Sequence, residues 1–452
     1  MEAAQAARAV QLERLTQRWS AAVLVLTLLY IFIGPTPFSR EIALDAATGA
    51  ATVSPVNRFI WIGLLALAAP LLWIRRAEFP AALGRLAPLI LLFGWFWLTT
   101  LWAIDPGVAS RRFILYVVAL GVSLAVALGL GGLRRMHAVL ALACGIMVAI
   151  DLVSTAAAPG LSMTPFGLAA IHNHKNTLGA AMLFSCIVLG PFALARETWG
   201  QRLGWGALFL GAVGLLIASQ SKTSIALLAV TVATAPVLLV LLRARVVVFY
   251  AVLAGLGLAV LAALLGWLAW CTYMARDPMA PLQGITFTRR TEVWAFVFSQ
   301  IVKHPIIGSG FGSFWDIDPR LQPSLQSNLW FAQSDAFTNQ AHNGYLDLLA
   351  TTGLVGLTGG LILLIRWVVR GLGLIRGDLG RADARADRAH FAAAAALGLF
   401  PLVLFGHNWM ESSYFTANAM FGTIILLVAV QLELEGLSVT GAARSGRASP
   451  RR

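Results

Sequence analysis

The sequence predicts an all-α integral membrane protein with about twelve transmembrane helices and one long loop on the outer side of the membrane. Of its 452 residues, 59% are hydrophobic and 12% are charged, which is outside the usual range of soluble globular chains. Apolar segments close to the roughly 20 residues that a helix needs to cross a bilayer recur along the chain. Apolar and polar residues do not alternate at the spacing of a membrane barrel, so helices are the spanning structure that fits.

Twelve apolar segments are the candidate spans, and a polar excursion separates the ninth from the tenth. They lie near residues 20–34, 57–74, 86–102, 113–131, 136–156, 177–195, 205–218, 223–242, 247–270, 345–365, 391–406 and 416–433. The predicted organisation is helices 1–9 within residues 1–270, an outer loop over 271–343, helices 10–12 within 344–436 and a disordered tail over 437–452. The tail is rich in Gly, Ala, Ser and Arg, a composition typical of disorder.

The cationic residues predict the orientation of the bundle. With the N-terminus inside, 22 of the 33 Lys and Arg residues fall in cytoplasmic segments and 11 in outer segments. The outer loop holds five of those 11 residues, and the short cytoplasmic loops carry the excess all along the chain. Because short cytoplasmic loops are enriched in Lys and Arg, both termini and the tail are predicted to be cytoplasmic.

Composition also argues against several classes of function. The formal net charge of +13 does not indicate nucleic-acid binding, because the basic residues flank the spans and form no single patch. The three cysteines, Cys144, Cys186 and Cys271, are scattered and predict neither a disulfide framework nor a zinc site. Apart from Asp316-Ile317-Asp318, the outer acidic residues are scattered along the chain, so neither a metal nor another cofactor is expected. They include Asp105, Asp277, Asp316, Asp318 and Asp335.

The outer loop contains one predicted helix, from Glu292 to Lys303, with a broad apolar face. That face consists of Val293, Trp294, Phe296, Val297, Phe298, Ile301 and Val302. Lys303-His304-Pro305 ends the helix, and a glycine-rich turn over residues 308–312 follows. An amphipathic helix of this kind lies along a membrane surface or caps a cavity, and a packing helix has the same pattern.

Cations on the outer side oppose the orientation signal and therefore require a reason. We interpret Arg40 and Arg58 as anchors to lipid headgroups. Six of the other outer cations are candidates for one ring around an outer cavity that binds an oxyanion, since guanidinium and ammonium groups pair with phosphate. They are Arg111, Arg112, Lys175, Lys222, Arg289 and Arg290. An isolated lysine at the membrane re-entry of Lys222 is costly, which favours a function there.

His342 stands where the outer loop enters the tenth span, beside the loop that carries Arg289 and Arg290. Imidazole is suited to proton transfer near neutral pH, so His342 is a candidate base acting on a substrate of anionic character. The alternative is an interfacial histidine that satisfies a helix end. His172 and His174 flank Asn173 beside Lys175 and are interpreted as hydrogen-bond donors, since no carboxylate cluster accompanies them for a metal.

The order of the short motifs resembles the O-antigen ligase and polymerase superfamily of bacterial envelope glycosyltransferases. The motifs are residues 101–106 (LWAIDP), 172–179 (HNHKNTLG), 219–223 (SQSKT), 290–294 (RTEVW), 304–312 (HPIIGSGFG), 342–346 (HNGYL) and 353–356 (GLVG). The resemblance covers about residues 90 to 370 and includes the long loop before the tenth span. It departs at Lys222, where the family usually has arginine.

The resemblance implies a GT-C-like fold and a ligase that moves O-antigen glycan from undecaprenyl diphosphate to a sugar hydroxyl of the lipid A–core oligosaccharide. The reaction is expected to need no metal and to occur at the periplasmic face of the bacterial inner membrane. Membrane lipids are further partners. The outer loop over 271–343 is then periplasmic.

By the same resemblance, His342 corresponds to the family's essential loop histidine and Arg290 to its pyrophosphate-binding arginine. Arg289, Lys222, Lys175 and Arg112 are further candidate contacts to the donor diphosphate. His172, His174, Asn343 and Tyr345 are candidate auxiliary residues, the last two for orienting His342 or the acceptor. Direct attack on the anomeric carbon would invert its configuration.

Three other functions remain open. An O-antigen polymerase and a protein O-oligosaccharyltransferase belong to the same superfamily. The polymerase usually has two substantial outer loops and the oligosaccharyltransferase a longer C-terminal part. A lipid-linked glycan flippase or other transporter would also have twelve spans, but its charges are expected at mid-membrane depth within repeated halves.

Overall fold

The computed structural model describes residues 2–39, 55–277, 290–332, 338–380, 387–416 and 419–435. Its helices are α1 (Glu2–Ile33), α2 (Pro55–Ile74), α3 (Phe79–Thr99), α4 (Pro106–Leu130), α5 (Leu133–Ala157), α6 (Pro159–Ser162), α7 (Lys175–Leu194), α8 (Trp199–Ser219), α9 (Lys222–Arg243), α10 (Val246–Tyr273), α11 (Arg290–Ile301), α12 (Gly344–Leu379), α13 (Arg388–His407) and α14 (Met420–Leu434). Short 3₁₀ turns occur at Arg76–Glu78, Thr100–Trp102 and Trp330–Ala332. The two-residue strands β1 (Met163–Thr164) and β2 (Gly167–Leu168) pair antiparallel.

The predicted all-α membrane fold is confirmed, but the exact count of spans is not. Within the described ranges, ten helices are long and apolar enough to cross a membrane. The other two predicted spans also coincide with helices, although the apolar part Gly257–Tyr273 and the 15-residue α14 are shorter. Twelve spans and their orientation therefore stay predictions. The predicted disordered tail over 437–452 lies outside the described residues.

The core of the bundle forms around α7. In the apolar segment of this helix, 78% is buried inside the protein. This helix packs against α5, α8, α9 and α13. Small residues permit the close approaches between helices, as is usual in membrane bundles. At the crossing of α12 and α13, a Cβ added to either Gly371 or Gly398 would overlap the backbone of the other.

A break in α12 connects the bundle to the outer loop. Gly353 interrupts the helix with φ 68° and ψ −172°, a conformation essentially restricted to glycine. The segment from Pro305 to Gly310 occupies the break: Leu354 N donates to Pro305 O (2.9 Å), and Gly310 N donates to Thr351 O (2.8 Å). The glycine-rich turn therefore sits across the broken helix, and it brings the outer loop onto the first turns of α12.

The predicted amphipathic helix is α11, and it packs against the protein. Val293, Phe296, Val297 and Ile301 are buried in a small second core with aromatic residues of the outer loop. Phe298 is 52% exposed, so the apolar face is narrower than the sequence predicted. The helix packs over the first turns of α12, as expected for a helix that caps a cavity or packs against the protein.

Candidate active site

A cavity of about 730 Å³ opens where the start of α12 meets the ends of α1 and α13 and the start of α7. Its described lining is rich in amide and hydroxyl side chains, with carboxylates, two histidines and aromatic rings among them. The polar and charged lining residues are Thr36, Ser39, Arg112, Asn173, His174, Asn176, Thr177, Asp316, Thr338, Asn339, Gln340, His342, Asp347, Thr351, Glu411, Ser412, Ser413 and Thr416. A cavity of this size and chemistry can hold a polar ligand larger than a single sugar ring.

His342 and Glu411 form the central contact of this cavity. The His342 ring nitrogen Nδ1 lies 3.2 Å from Glu411 Oε2. Against an ionised carboxylate, Nδ1 must carry the proton and donate it, which leaves Nε2 as a proton acceptor. The His342 side chain is 28% exposed and the Glu411 side chain 13%. His342 is therefore a half-buried imidazole with its proton on Nδ1, and it lies beside the cavity.

The backbone at His342 is unusual. Its φ of 50° lies in the left-handed region that residues other than glycine seldom adopt. Asn343 follows as the N-cap of α12, and its Oδ1 accepts from Tyr345 N (3.1 Å) and Leu346 N (3.2 Å). The cap ends the loop directly after His342, so the imidazole projects from the start of a long helix.

Arg290 approaches Glu411 from α11. Its Nη2 donates to Glu411 Oε1 (3.1 Å) and its Nη1 donates to Met410 O. Asn176 Nδ2 donates to the same Oε1 (3.3 Å). Burial raises the pKa of Glu411, but the hydrogen bond from His342 and the charges of His342, Arg290 and His407 outweigh it, so the pKa lies below its ordinary value. Glu411 is therefore ionised at neutral pH.

His174 faces the same cavity. Its Nδ1 accepts from Asn176 N (3.1 Å), so the ring caps the start of α7. Burial lowers the pKa of His174, and the charges of Lys175 and His342 lower it further against the opposing effect of Glu411. The neutral ring is favoured at pH 7, with its proton on Nε2, and the predicted donor role of His174 stays a prediction.

Other predicted site residues take part in different contacts. Arg112 lines the cavity, yet it donates to Gly312 O (2.6 Å), Trp315 O (2.7 Å) and Asp316 O (2.8 Å) and so holds the outer loop on α4. His172 is fully buried between Phe32 O (2.8 Å) and Asp151 Oδ2 (3.2 Å). The structure thus gives Arg112 and His172 scaffold contacts.

Lys175 donates to Phe166 O (3.0 Å) in the turn between β1 and β2, and it is not among the residues that line the cavity. Lys222 is exposed at the first residue of α9 and is not part of the cavity lining. The Tyr345 hydroxyl donates to Phe405 O (2.7 Å). These three side chains are not brought to His342, and their predicted roles stay predictions. Arg289, predicted beside Arg290, lies outside the described residues.

Glu411 is the site residue that sequence reasoning missed. It lies in the short connection between the last two predicted spans, over residues 407–415, where hydropathy marks only a turn. The available signal was an acidic residue between two apolar segments on the outer side, the same side as His342. Its partners are 69 and 121 residues away in the chain, so local patterns could not pair them.

No group of three or more His, Cys, Asp and Glu side chains in the described ranges has the arrangement to hold a metal ion. Among the described acids, Asp105 instead caps α4 by accepting from Val108 N (3.0 Å), and Asp318 is paired with Arg320 on the surface. The hydrogen bonds from Arg320 lower the pKa of Asp318 to about 2. Metal independence stays a prediction.

Residues 207–361 match the model of the O-antigen ligase family. The match runs from α8 through α11 into α12, so it contains Lys222, Arg290 and His342 and ends before Glu411. No curated protein matches the chain.

Proposed function

We propose that this chain transfers O-antigen glycan from undecaprenyl diphosphate to a sugar hydroxyl of the lipid A–core oligosaccharide, a proposal supported by the match of residues 207–361 to the O-antigen ligase family model. The reaction would take place on the periplasmic face of the bacterial inner membrane. The observation that carries the proposal is the contact of His342 with Glu411 at the edge of a polar cavity, with Arg290 on the other oxygen of the same carboxylate.

The chemistry of the proposal is one displacement. His342 Nε2 takes the proton of the acceptor hydroxyl as the hydroxyl oxygen attacks the anomeric carbon of the donor glycan. The bond between that carbon and the diphosphate oxygen breaks, and undecaprenyl diphosphate leaves with the bonding electrons. Attack opposite the leaving group inverts the anomeric configuration. A positioned base of this kind contributes roughly 10²–10⁴-fold to the rate.

Glu411 orients the proposed base. Its ionised carboxylate keeps the proton on His342 Nδ1, and it stabilises the imidazolium that forms when Nε2 accepts a proton. This is the role that a carboxylate has toward histidine in other acid–base sites, where it fixes the tautomer. The low pKa of Glu411 supports the assignment, because only the carboxylate form does both.

Arg290 is the proposed anchor of the diphosphate. A leaving diphosphate gains negative charge on its bridging oxygen, and a preorganised cation at that point lowers the barrier. Arg290 is 13% exposed and already fixed by Met410 O and Glu411, so little reorganisation is needed. Arg289 and Lys222 are proposed further contacts to the same diphosphate.

The cavity itself suits the acceptor. Its amides and hydroxyls, such as Asn173, Asn339 and Gln340, are groups that hydrogen-bond to sugar hydroxyls, and rings such as Trp315 offer apolar faces. Among the described residues that line the cavity, Arg112 is the one Lys or Arg, and it donates to three loop carbonyls. This chemistry supports a sugar in the cavity and the diphosphate on the Arg290 side of Glu411.

The test is transfer by the purified protein in lipid nanodiscs, given lipid-linked glycan and lipid A–core. His342→Ala should lower the rate at least 10²-fold while protein yield and donor binding remain near wild type. The matched control is His304→Ala, since His304 is an exposed histidine at the end of α11. Full transfer by His342→Ala would contradict the base assignment.

In cells, the ligase predicts lipopolysaccharide with a core but no long glycan in the His342→Ala strain, together with accumulated lipid-linked polymer. A polymerase predicts single repeat units on the core. A protein O-oligosaccharyltransferase predicts loss of glycan from a protein, and a flippase predicts donor retained on the cytoplasmic side. Any of the last three patterns would refute the ligase assignment.

A further inference from the structure

Asp347 is a buried carboxylate beside the site. It lies in the first turns of α12 and is 8% exposed. Side chains of an α-helix tilt toward its N-terminus, so this carboxylate lies over the residues that precede the helix. A negative charge is also favoured there by the N–H groups of the helix start.

Three donors from three separate segments converge on Asp347. Ala341 N donates to both oxygens (3.1 and 3.2 Å), Trp315 Nε1 donates to Oδ1 (2.7 Å), and the Ser412 hydroxyl donates to Oδ2. All three donor residues are at most 7% exposed. Two of them adjoin the proposed machinery in the chain, because Ala341 precedes His342 and Ser412 follows Glu411.

We propose that Asp347 is a positioning residue that maintains the hydrogen bond between His342 and Glu411 by binding the chain neighbour of each. The inference rests on the proposed function only for its effect on catalysis, since the positioning itself is a property of the His342–Glu411 pair. Asp347 acts through its neighbours and is not required to touch either substrate.

The backbone at His342 requires such support. Its φ of 50° is strained for a residue other than glycine and persists only where the surrounding structure holds it. Ala341 is held on both sides, because its N–H donates to Asp347 and its C=O accepts from Trp294 Nε1 (2.9 Å). With the Asn343 cap directly after it, His342 is fixed from both directions.

The Glu411 segment lies in the connection after α13, where Glu411 N donates to His407 O (3.0 Å) and Asn408 Oδ1 accepts from Tyr414 N (2.8 Å). The Ser412 hydroxyl ties this connection to the same carboxylate that holds Ala341. Asp347 therefore joins the two halves of the pair through one rigid group. Asp347→Asn keeps the volume but leaves one acceptor oxygen for three buried donors, which loosens at least one of these links.

A double-mutant cycle in the transfer assay separates positioning from general stability. Asp347→Asn is expected to lower kcat about 10-fold with little change in the KM for the donor. In the Glu411→Gln background the same substitution should cost less than 3-fold, because the contact of His342 with a carboxylate, which Asp347 maintains, has already been removed. If the loss of kcat in the double variant equals the product of the two single losses, the substitutions act independently and the proposal is overturned.

A readout that does not depend on transfer is the ring-nitrogen NMR signal of His342 in ¹⁵N-histidine-labelled protein. The protein has seven histidines, and His342→Gln assigns the signal by its loss. Asp347→Asn should move the His342 signal in the same direction as Glu411→Gln, with no further movement in the double variant. The matched control is Asp318→Asn, because Asp318 is a carboxylate of the outer loop that pairs with exposed Arg320 on the surface.

If Asp347→Asn does not fold, Ser412→Ala replaces it, since this variant cuts only the link to the Glu411 segment. It should move the His342 signal in the same direction. An unchanged His342 signal in the folded variant would overturn the proposal. A shifted signal in a protein whose wild type transfers no glycan would instead refute the proposed function and leave the positioning role standing.

Discussion

At the scale of single residues, Glu411 accepts from three side chains on its two oxygens, His342 on one and Arg290 with Asn176 on the other. One carboxylate thus connects the proposed base to the proposed diphosphate anchor. His342 and Glu411 line the cavity, whereas Arg290 reaches Glu411 from outside that lining. The consequences of this arrangement can be tested at each residue separately.

Glu411→Gln should lower transfer about 10²-fold or more, because the Gln amide can donate to Nδ1 and so stabilise the tautomer that lacks an acceptor at Nε2. The free energy of unfolding should change with pH as well. A carboxylate with a lowered pKa contributes stability above the ordinary glutamate pKa, about 4.3, and the contribution is lost as pH falls through the folded pKa. Denaturation of both proteins between pH 7 and 3 measures this, and a stability difference that grows toward pH 3 would contradict it.

Arg290→Ala is expected to weaken donor binding and to lower transfer by roughly 10²–10³-fold, the usual cost of losing one preorganised donor. Arg290→Lys should restore only part of both, because lysine lacks the planar fork that contacts Met410 O and Glu411 together. Binding of a water-soluble diphosphate donor analogue and initial rates measure the two effects. Arg320→Ala, at an exposed position of the same loop, is the control, and wild-type donor binding by Arg290→Ala would argue against the anchor.

At the scale of elements, the break in α12 positions the outer loop that contributes to the candidate site. The turn over residues 305–310 fits the gap at Gly353, and α11 covers the entry to the helix. Arg290 and Trp294 are four residues apart on one face of α11, so the first reaches Glu411 and the second reaches Ala341. The helix therefore contacts both segments of the site.

Gly353→Ala should destabilise the protein by at least about 1–3 kcal/mol, because an alanine there is strained and its Cβ would overlap the backbone of Ile306. The thermal unfolding temperature in detergent should fall by several degrees, and transfer should fall with it as the outer loop loosens. Gly373→Ala, in the same helix with open space around it, should be neutral or slightly stabilising. Equal effects of the two substitutions would show that the break is not required.

At the scale of the whole molecule, the split of 22 to 11 cationic residues predicts the orientation on which the site depends. Reporter fusions at Gly380 and at the C-terminus should be cytoplasmic, and a fusion at Gln326 should be periplasmic. A reversed pattern would put His342 in the wrong compartment for a periplasmic acceptor, and the proposed function would fail with it.

The proposed reaction should also proceed without a metal ion, since in the proposal Arg290 stabilises the charge on the diphosphate. Purified protein treated with a strong chelator is expected to keep its full transfer rate. The chelated protein with added magnesium is the comparison. Loss of transfer that magnesium or manganese restores would redirect attention to the outer acids, first Asp316, which lines the cavity.

The sequence by itself determined the class of fold and the apolar segments that form its long helices, and it predicted two residues of the candidate site. A membrane span is one continuous run of apolar residues that can be recognised locally, and each predicted span coincides with a helix. His342 and Arg290 were predictable because each lies in a short motif next to an apolar segment. The same local information could not distinguish a cation that binds substrate from one that binds the scaffold.

The tertiary structure alone decided the partners. Arg112 meets carbonyls 200 to 204 residues away, and His342 meets a carboxylate 69 residues away. Asn343 became a helix cap, His172 became a buried pair with Asp151, and Lys175 turned toward the β-hairpin. These outcomes depend on which helix ends lie together at the outer surface of the bundle. Packing between helices decides this, and it joins residues too far apart in the chain for a local sequence pattern to relate them.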